Sequence, residues 1–142
     1  MFLEALQAYY APIATLFIFI VFLIGDQLFS KRIRKLFLLE AGIILLIILS
    51  TWSDRCLSVM VLNGNAWKLR SITTFINFVL SPVLPFILIS IYRNNKEEKG
   101  QLMLAIPLVC NSILCICSLF TGWIFLVTPE NIYQRGPLFI VP

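Results

Sequence analysis

The chain contains no histidine. That absence removes a His-based general base, a Ser-His-Asp triad and any histidine-ligated metal from these 142 residues. Charge is scarce as well. Asp, Glu, Lys and Arg together make up 13% of the sequence, against about 25% in a soluble globular domain. The six glycines are scattered, and none belongs to a phosphate-cradling loop. No pair of carboxylates faces another in a water-accessible segment, and no internal repeat is evident. No basic surface with interleaved aromatics lies outside the apolar runs, so nucleic acid is not an expected partner. The reading is of a chain that is not an enzyme and implies no cofactor.

Cysteine is present without a pattern that uses it. Cys110, Cys115 and Cys117 fall inside one apolar block, and Cys56 lies near the edge of another. Their spacing matches no usual zinc or redox motif. They read as small, polarizable packing residues.

What the sequence has in abundance is apolar surface. Hydrophobic residues account for 60%, where about 45–50% is ordinary, and mean hydropathy is +0.95. A chain this short cannot hide that much in a water-excluding core. The apolar residues also come in blocks near the roughly 20 residues that a membrane-spanning helix requires. The expected fold is therefore an all-α polytopic bundle, one transmembrane domain over residues 1–142 with about four spans: 10–29, 36–52, 72–92 and 102–127. The first block lacks the basic start and small-residue cleavage site of a signal peptide, so it reads as a retained helix. Residues 56–62 form a short interfacial helix or an extension of the second helix. Leu138-Phe-Ile-Val141 turns apolar again before the last residue, and the expectation is a truncation ahead of a fifth span.

Basic residues flanking spans mark the cytoplasmic side. Lys31, Arg32, Arg34, Lys35, Arg93, Lys96 and Lys99 lie in the first and third connections, which puts seven of the eleven on one side. Arg55, Lys68, Arg70 and Arg135 fall on the other. The bias predicts an N-terminus outside and a chain resident in the plasma (inner) membrane, with the lipid bilayer as its first partner.

Polar groups inside the spans are the candidate functional residues, because each is costly in lipid. Asp26 and Glu40 sit at similar shallow depths beside the basic first connection. They pair with Arg32, Arg34 or Lys35, or else Glu40 faces the bundle interior and binds a proton, a cation or a ligand amine. Asn77 and Asn111 lie deeper, where an amide seeks a partner on another helix. Asn111, Cys115, Ser118 and Gly122 recur at i, i+4, i+7 and i+11, a stripe of small and polar residues on which the fourth helix packs or which lines a ligand pocket. Pro82 and Pro85 free the carbonyls of Phe78 and Ser81 and predict a kink that could serve as a hinge.

Three segments carry a resemblance: the basic turn Ser30-Lys-Arg-Ile-Arg-Lys35, the run Asn77-Phe-Val-Leu-Ser-Pro-Val-Leu-Pro85, and Phe120-Thr-Gly-Trp-Ile-Phe125 followed by Asn131-Ile-Tyr-Gln-Arg-Gly-Pro137. Together they resemble the multi-pass N-terminal membrane region of bacterial diguanylate cyclases (GGDEF proteins) and related histidine kinases. The resemblance implies a sensory, signal-transducing module, a homodimer formed through the parent protein, and an unidentified ligand or cue. This chain holds neither a GGDEF nor a kinase motif, so any output domain lies elsewhere. The rival readings from the residues are a small transporter or pore subunit, with Glu40, Asn77 and Asn111 along its path, and a structural subunit of a membrane complex.

Overall fold

A computed structural model describes residues 2–25, 29–59, 66–92 and 98–139. The elements are α1 (Phe2–Gly25), α2 (Lys31–Val59), α3 (Ala66–Leu80), α4 (Val83–Tyr92) and α5 (Glu98–Thr121), followed by two short strands, β1 (Phe125–Val127) and β2 (Tyr133–Arg135). The strands α-helical proteins usually lack form an antiparallel pair, with Phe125 opposite Arg135 and Val127 opposite Tyr133. Helix dominates, as expected, with this hairpin as its one exception among the described residues.

The helices Lys31–Val59 and Ala66–Tyr92, the latter being α3 and α4 together, are long and apolar enough to cross a membrane. The apolar parts of the others, Tyr9–Gly25 and Ala105–Thr121, are shorter. At 1.5 Å per residue, α2 is roughly 43 Å long and exceeds a hydrocarbon core of about 30 Å. Its charged ends, Lys31–Lys35 and Asp54–Arg55, can therefore both reach the headgroup layer.

Ser30 starts α2 one residue before its basic cluster. Its side-chain oxygen accepts from the Ile33 amide at 3.4 Å, and its carbonyl accepts from the Arg34 amide at 3.0 Å. Lys31, Arg32, Arg34 and Lys35 thus belong to the first turns of α2 rather than to a loop. Cations there oppose the helix dipole by a few tenths of a kcal/mol each. At the other end α2 runs on to Val59, which decides for the helix extension over a separate interfacial helix. The Asn63-Gly64-Asn65 turn lies outside the described residues.

α2 is the central element: α1, α3 and α4 all pack on it. Many buried positions are small, with Ala41 and Ser50 on α2, Ala66 and Thr74 on α3, and Cys115 and Ser118 on α5. Small side chains let backbones approach, the packing that works when both sides of an interface are apolar. Ser50 donates to the Thr73 carbonyl at 2.9 Å and ties α2 to α3. Phe37 on α2 meets Phe19 of α1 and Phe29 of the connection between them, both edge-on. Leu16, Leu23, Ile87 and Phe125 are buried, while many large apolar side chains point outward, Phe17 at 67% exposed and Phe120 at 86%. Such faces suit lipid as the surrounding medium.

Candidate functional site

The kink falls where the prolines predict it. α3 stops at Leu80, Ser81 and Pro82 form a turn, and α4 resumes at Val83. Pro82 has no N–H for the Phe78 carbonyl. The Asn111 side-chain amide, on α5, donates to that carbonyl at 3.0 Å instead. Asn111 is therefore the interhelical amide expected of it, and its partner is the group that the proline orphans. The Ser81 carbonyl, freed by Pro85, accepts a longer 3.4 Å bond from the Leu84 amide. Pro85 is the third residue of α4, in a first turn whose N–H groups lack helical acceptors in any case. The Asn77 carbonyl takes both the Ser81 amide, at 3.0 Å, and the Ser81 hydroxyl, at 2.7 Å. Of the Asn77 side chain, Oδ1 is enclosed without a hydrogen-bond partner among the described residues.

The Phe78 ring leads from the kink to the hairpin. It stacks on Phe125, centroids 5.3 Å apart and planes 2° from parallel, and meets Phe139 edge-on at 5.8 Å. Arg135 places its guanidinium 4.9 Å from the centre of the Phe139 ring. A single residue of α3 thus touches α5 through its backbone and the hairpin through its side chain.

The hairpin is fastened to α5 by Ser118. This serine is 1% exposed. Its Oγ accepts from the amides of Ile124 and Phe125, each at 3.0 Å, and donates to the Phe125 carbonyl at 3.1 Å. These bonds satisfy backbone groups that have left the helix, a requirement wherever irregular backbone lies near lipid. Cys115, one turn earlier, is fully buried. Asn111, Cys115 and Ser118 therefore do share the face on which α5 packs. Gly122 has a different task. It lies just past the helix end with φ +68°, its amide donating to the Ser118 carbonyl at 2.9 Å. This left-handed stop is the glycine cap that ends a helix. The helix accordingly ends at Thr121, short of the expected Val127, and Phe125–Val127 turn back as a strand.

The hairpin loop is Pro129-Glu130-Asn131. The Asn131 amide donates to the Thr128 carbonyl at 2.8 Å, and Asn131 itself has φ +62°. This is a turn followed by a left-handed residue, a common three-residue hairpin connection. Proline suits its first position, and asparagine tolerates the left-handed one. Hydrogen bonds from the Thr128 hydroxyl and its own backbone hold the Glu130 carboxyl below the usual carboxylate range. Gly136 closes the hairpin base: a Cβ there would come within 2.2 Å of the carbonyl oxygens of both Gly122 and Trp123.

The loop is anchored to the ends of α2 and α3. Arg70 Nε lies 3.0 Å from Asp54 Oδ1, an ion pair with side chains 13% and 27% exposed. Arg70 Nη1 also donates to the Asn131 carbonyl, and Asn131 Nδ2 donates to the Leu57 carbonyl at 2.7 Å. Thr74 Oγ1 reaches the same Asp54 oxygen at 3.5 Å. Tyr133 stands nearby; burial pushes its phenol up, Asp54 adds to the rise, and Arg135 and Arg70 oppose it. Sequence reasoning leaves Asp54, Arg70 and Asn131 as connection residues. Their meeting depends on the antiparallel register of α2 and α3, which no local pattern announces.

Glu40 is buried at 8% exposure on α2. With the basic cluster wound into the same helix, no ion pair forms between Glu40 and Lys31, Arg32, Arg34 or Lys35 among the described residues; Arg34 Nε is itself enclosed without a partner. Asp26 lies outside the described residues. Among those described, no group of three or more Cys, Asp or Glu side chains is placed to hold a metal. The chain matches no family model, no curated protein and no solved structure.

Proposed function

We propose that this chain is a membrane-embedded sensory module, the N-terminal part of a bacterial diguanylate cyclase-type signalling protein, with four spans, α1, α2, α3 with α4, and α5, crossing the plasma membrane and the N-terminus outside. The observation that carries the reading is the double engagement of Phe78. Its carbonyl, orphaned by Pro82, is held by Asn111, and its ring is stacked on Phe125 of the hairpin. A cue that shifts the hairpin changes the packing on Phe78, and the kink beneath it is the joint at which α4 can swing relative to α3. An output domain connected on the cytoplasmic side would read that swing. In this reading the chain itself performs no catalysis.

The test uses the full-length parent, identified by following the reading frame past Pro142. Cellular cyclic di-GMP is measured for the parent and for a variant with Pro82→Ala and Pro85→Ala. The expected result is an output locked high or low. An output and cue response equal to the parent's would remove the hinge from the mechanism, and a frame that leads to no signalling domain would remove the sensor reading.

The burial of Glu40 in α2 supports a second reading, a transporter or pore subunit. It predicts proteoliposome flux that disappears in Glu40→Gln.

A further inference from the structure

A shallow groove runs between α1 and α2, lined by Tyr9, Ile13, Ile48, Leu49 and Trp52 and about 130 Å³ in volume. Its lining spans about one helical turn on each side, Tyr9 to Ile13 and Ile48 to Trp52, and offers no polar surface. One turn beyond Trp52, the exposed Arg55 holds its guanidinium 5.2 Å from the centre of the Tyr9 ring. The Tyr9 hydroxyl is enclosed with no hydrogen-bond partner from the protein. Apolar walls thus lead up to a rim that carries one exposed cation, Arg55, which calls for an oxygen acceptor.

We infer that this groove binds one anionic phospholipid, with an acyl chain between α1 and α2 and its phosphate at Arg55. The order of groups is that of a lipid: apolar walls where the chain would lie, aromatic side chains at the interface, and the cation at headgroup height. A second copy of this chain is a poorer occupant, because each copy carries a net charge of +4 and would bring its own basic rim to Arg55. Zwitterionic lipid fits the walls but leaves the cation half-compensated by its own ammonium. The inference stands on the groove alone and does not depend on the sensory reading.

The experiment uses the chain reconstituted in vesicles with Trp67→Phe and Trp123→Phe, which leaves Trp52, in the groove wall, as the reporter. Its fluorescence is titrated with phosphatidylglycerol or phosphatidylcholine carrying brominated acyl chains, each diluted into unbrominated phosphatidylcholine. Phosphatidylglycerol is expected to reach half-quenching at a roughly fivefold lower mole fraction, the factor that one basic residue near an anionic surface confers. Arg55→Gln, at an exposed position, is expected to bring the two curves together while quenching itself persists. Coincident curves with Arg55 in place would overturn the headgroup assignment. Failure of both brominated lipids to quench would overturn the lipid itself and mark the groove as covered by protein.

Discussion

Replacing Asn111 by alanine should destabilise the bundle, and the cost should depend on whether residue 82 is proline. In the native chain the Phe78 carbonyl has one donor in place, the Asn111 amide at 3.0 Å, because Pro82 supplies none. Interhelical hydrogen bonds in membranes average about 0.6 kcal/mol and reach about 1.7 kcal/mol, the typical value being low because the unfolded chain in the membrane also finds partners. Phe78 has no ready replacement, so the orphaned carbonyl brings the cost of Asn111→Ala to about 1.5 kcal/mol, towards the upper figure. Pro82→Ala restores an N–H four residues after Phe78, where an uninterrupted helix would bond it. In that background the same Asn111→Ala should cost only roughly 0.5 kcal/mol, the packing part of the loss. The cycle therefore predicts a coupling of about 1 kcal/mol, well above the roughly 0.3–0.5 kcal/mol scatter of independent sites. Reversible unfolding in mixed micelles with increasing denaturing detergent measures all four variants. Equal costs of Asn111→Ala in both backgrounds would refute the idea that this amide serves the proline kink.

Two further outcomes follow from the hairpin. Gly136→Ala places a methyl against the carbonyls of Gly122 and Trp123; both are backbone and cannot step aside, so a loss of about 1–3 kcal/mol is expected, with proteolysis or hydrogen exchange at residues 122–136 rising first, whereas unchanged protection would show that the hairpin base is not this tight. Glu130 has its carboxyl held low by Thr128, so its contribution to the turn is present above its unfolded pKa and fades as pH falls through the lower folded value; Thr128→Val should move its NMR titration upward, and an unmoved midpoint would discount the Thr128 bond.

Much of the fold is legible because a spanning helix is a local object. Blocks of apolar residues near 20 long and the prolines at 82 and 85 can be read without knowing any neighbour. The turn chemistry of Thr128-Pro129-Glu130-Asn131 was equally available, but Ile124-Phe-Leu-Val127 continues the apolar run of α5 and masks the reversal. The helix stop at Gly122 was hidden in the same way: glycine at the end of a small-residue stripe serves close packing or a left-handed cap, and only the conformation tells which. The basic cluster at the start of α2 illustrates a third limit. Charge density suggests a loop, yet a helix can carry four cations in its first turns when a headgroup layer surrounds them.

The sequence alone determines that most of this chain is helix suited to lipid, since a helix satisfies its own backbone and needs only enough apolar side chains to remain in the membrane. It also determines where the third helix must bend, because proline removes a donor whatever surrounds it. Tertiary structure decided which group answers that bend. Asn111 meets Phe78, Phe125 stacks on the same residue, and Arg70 brings together Asp54 and the Asn131 carbonyl. Each of these meetings joins residues 16 to 61 positions apart, and such contacts depend on the register of antiparallel helices, which side-chain packing sets and local composition does not.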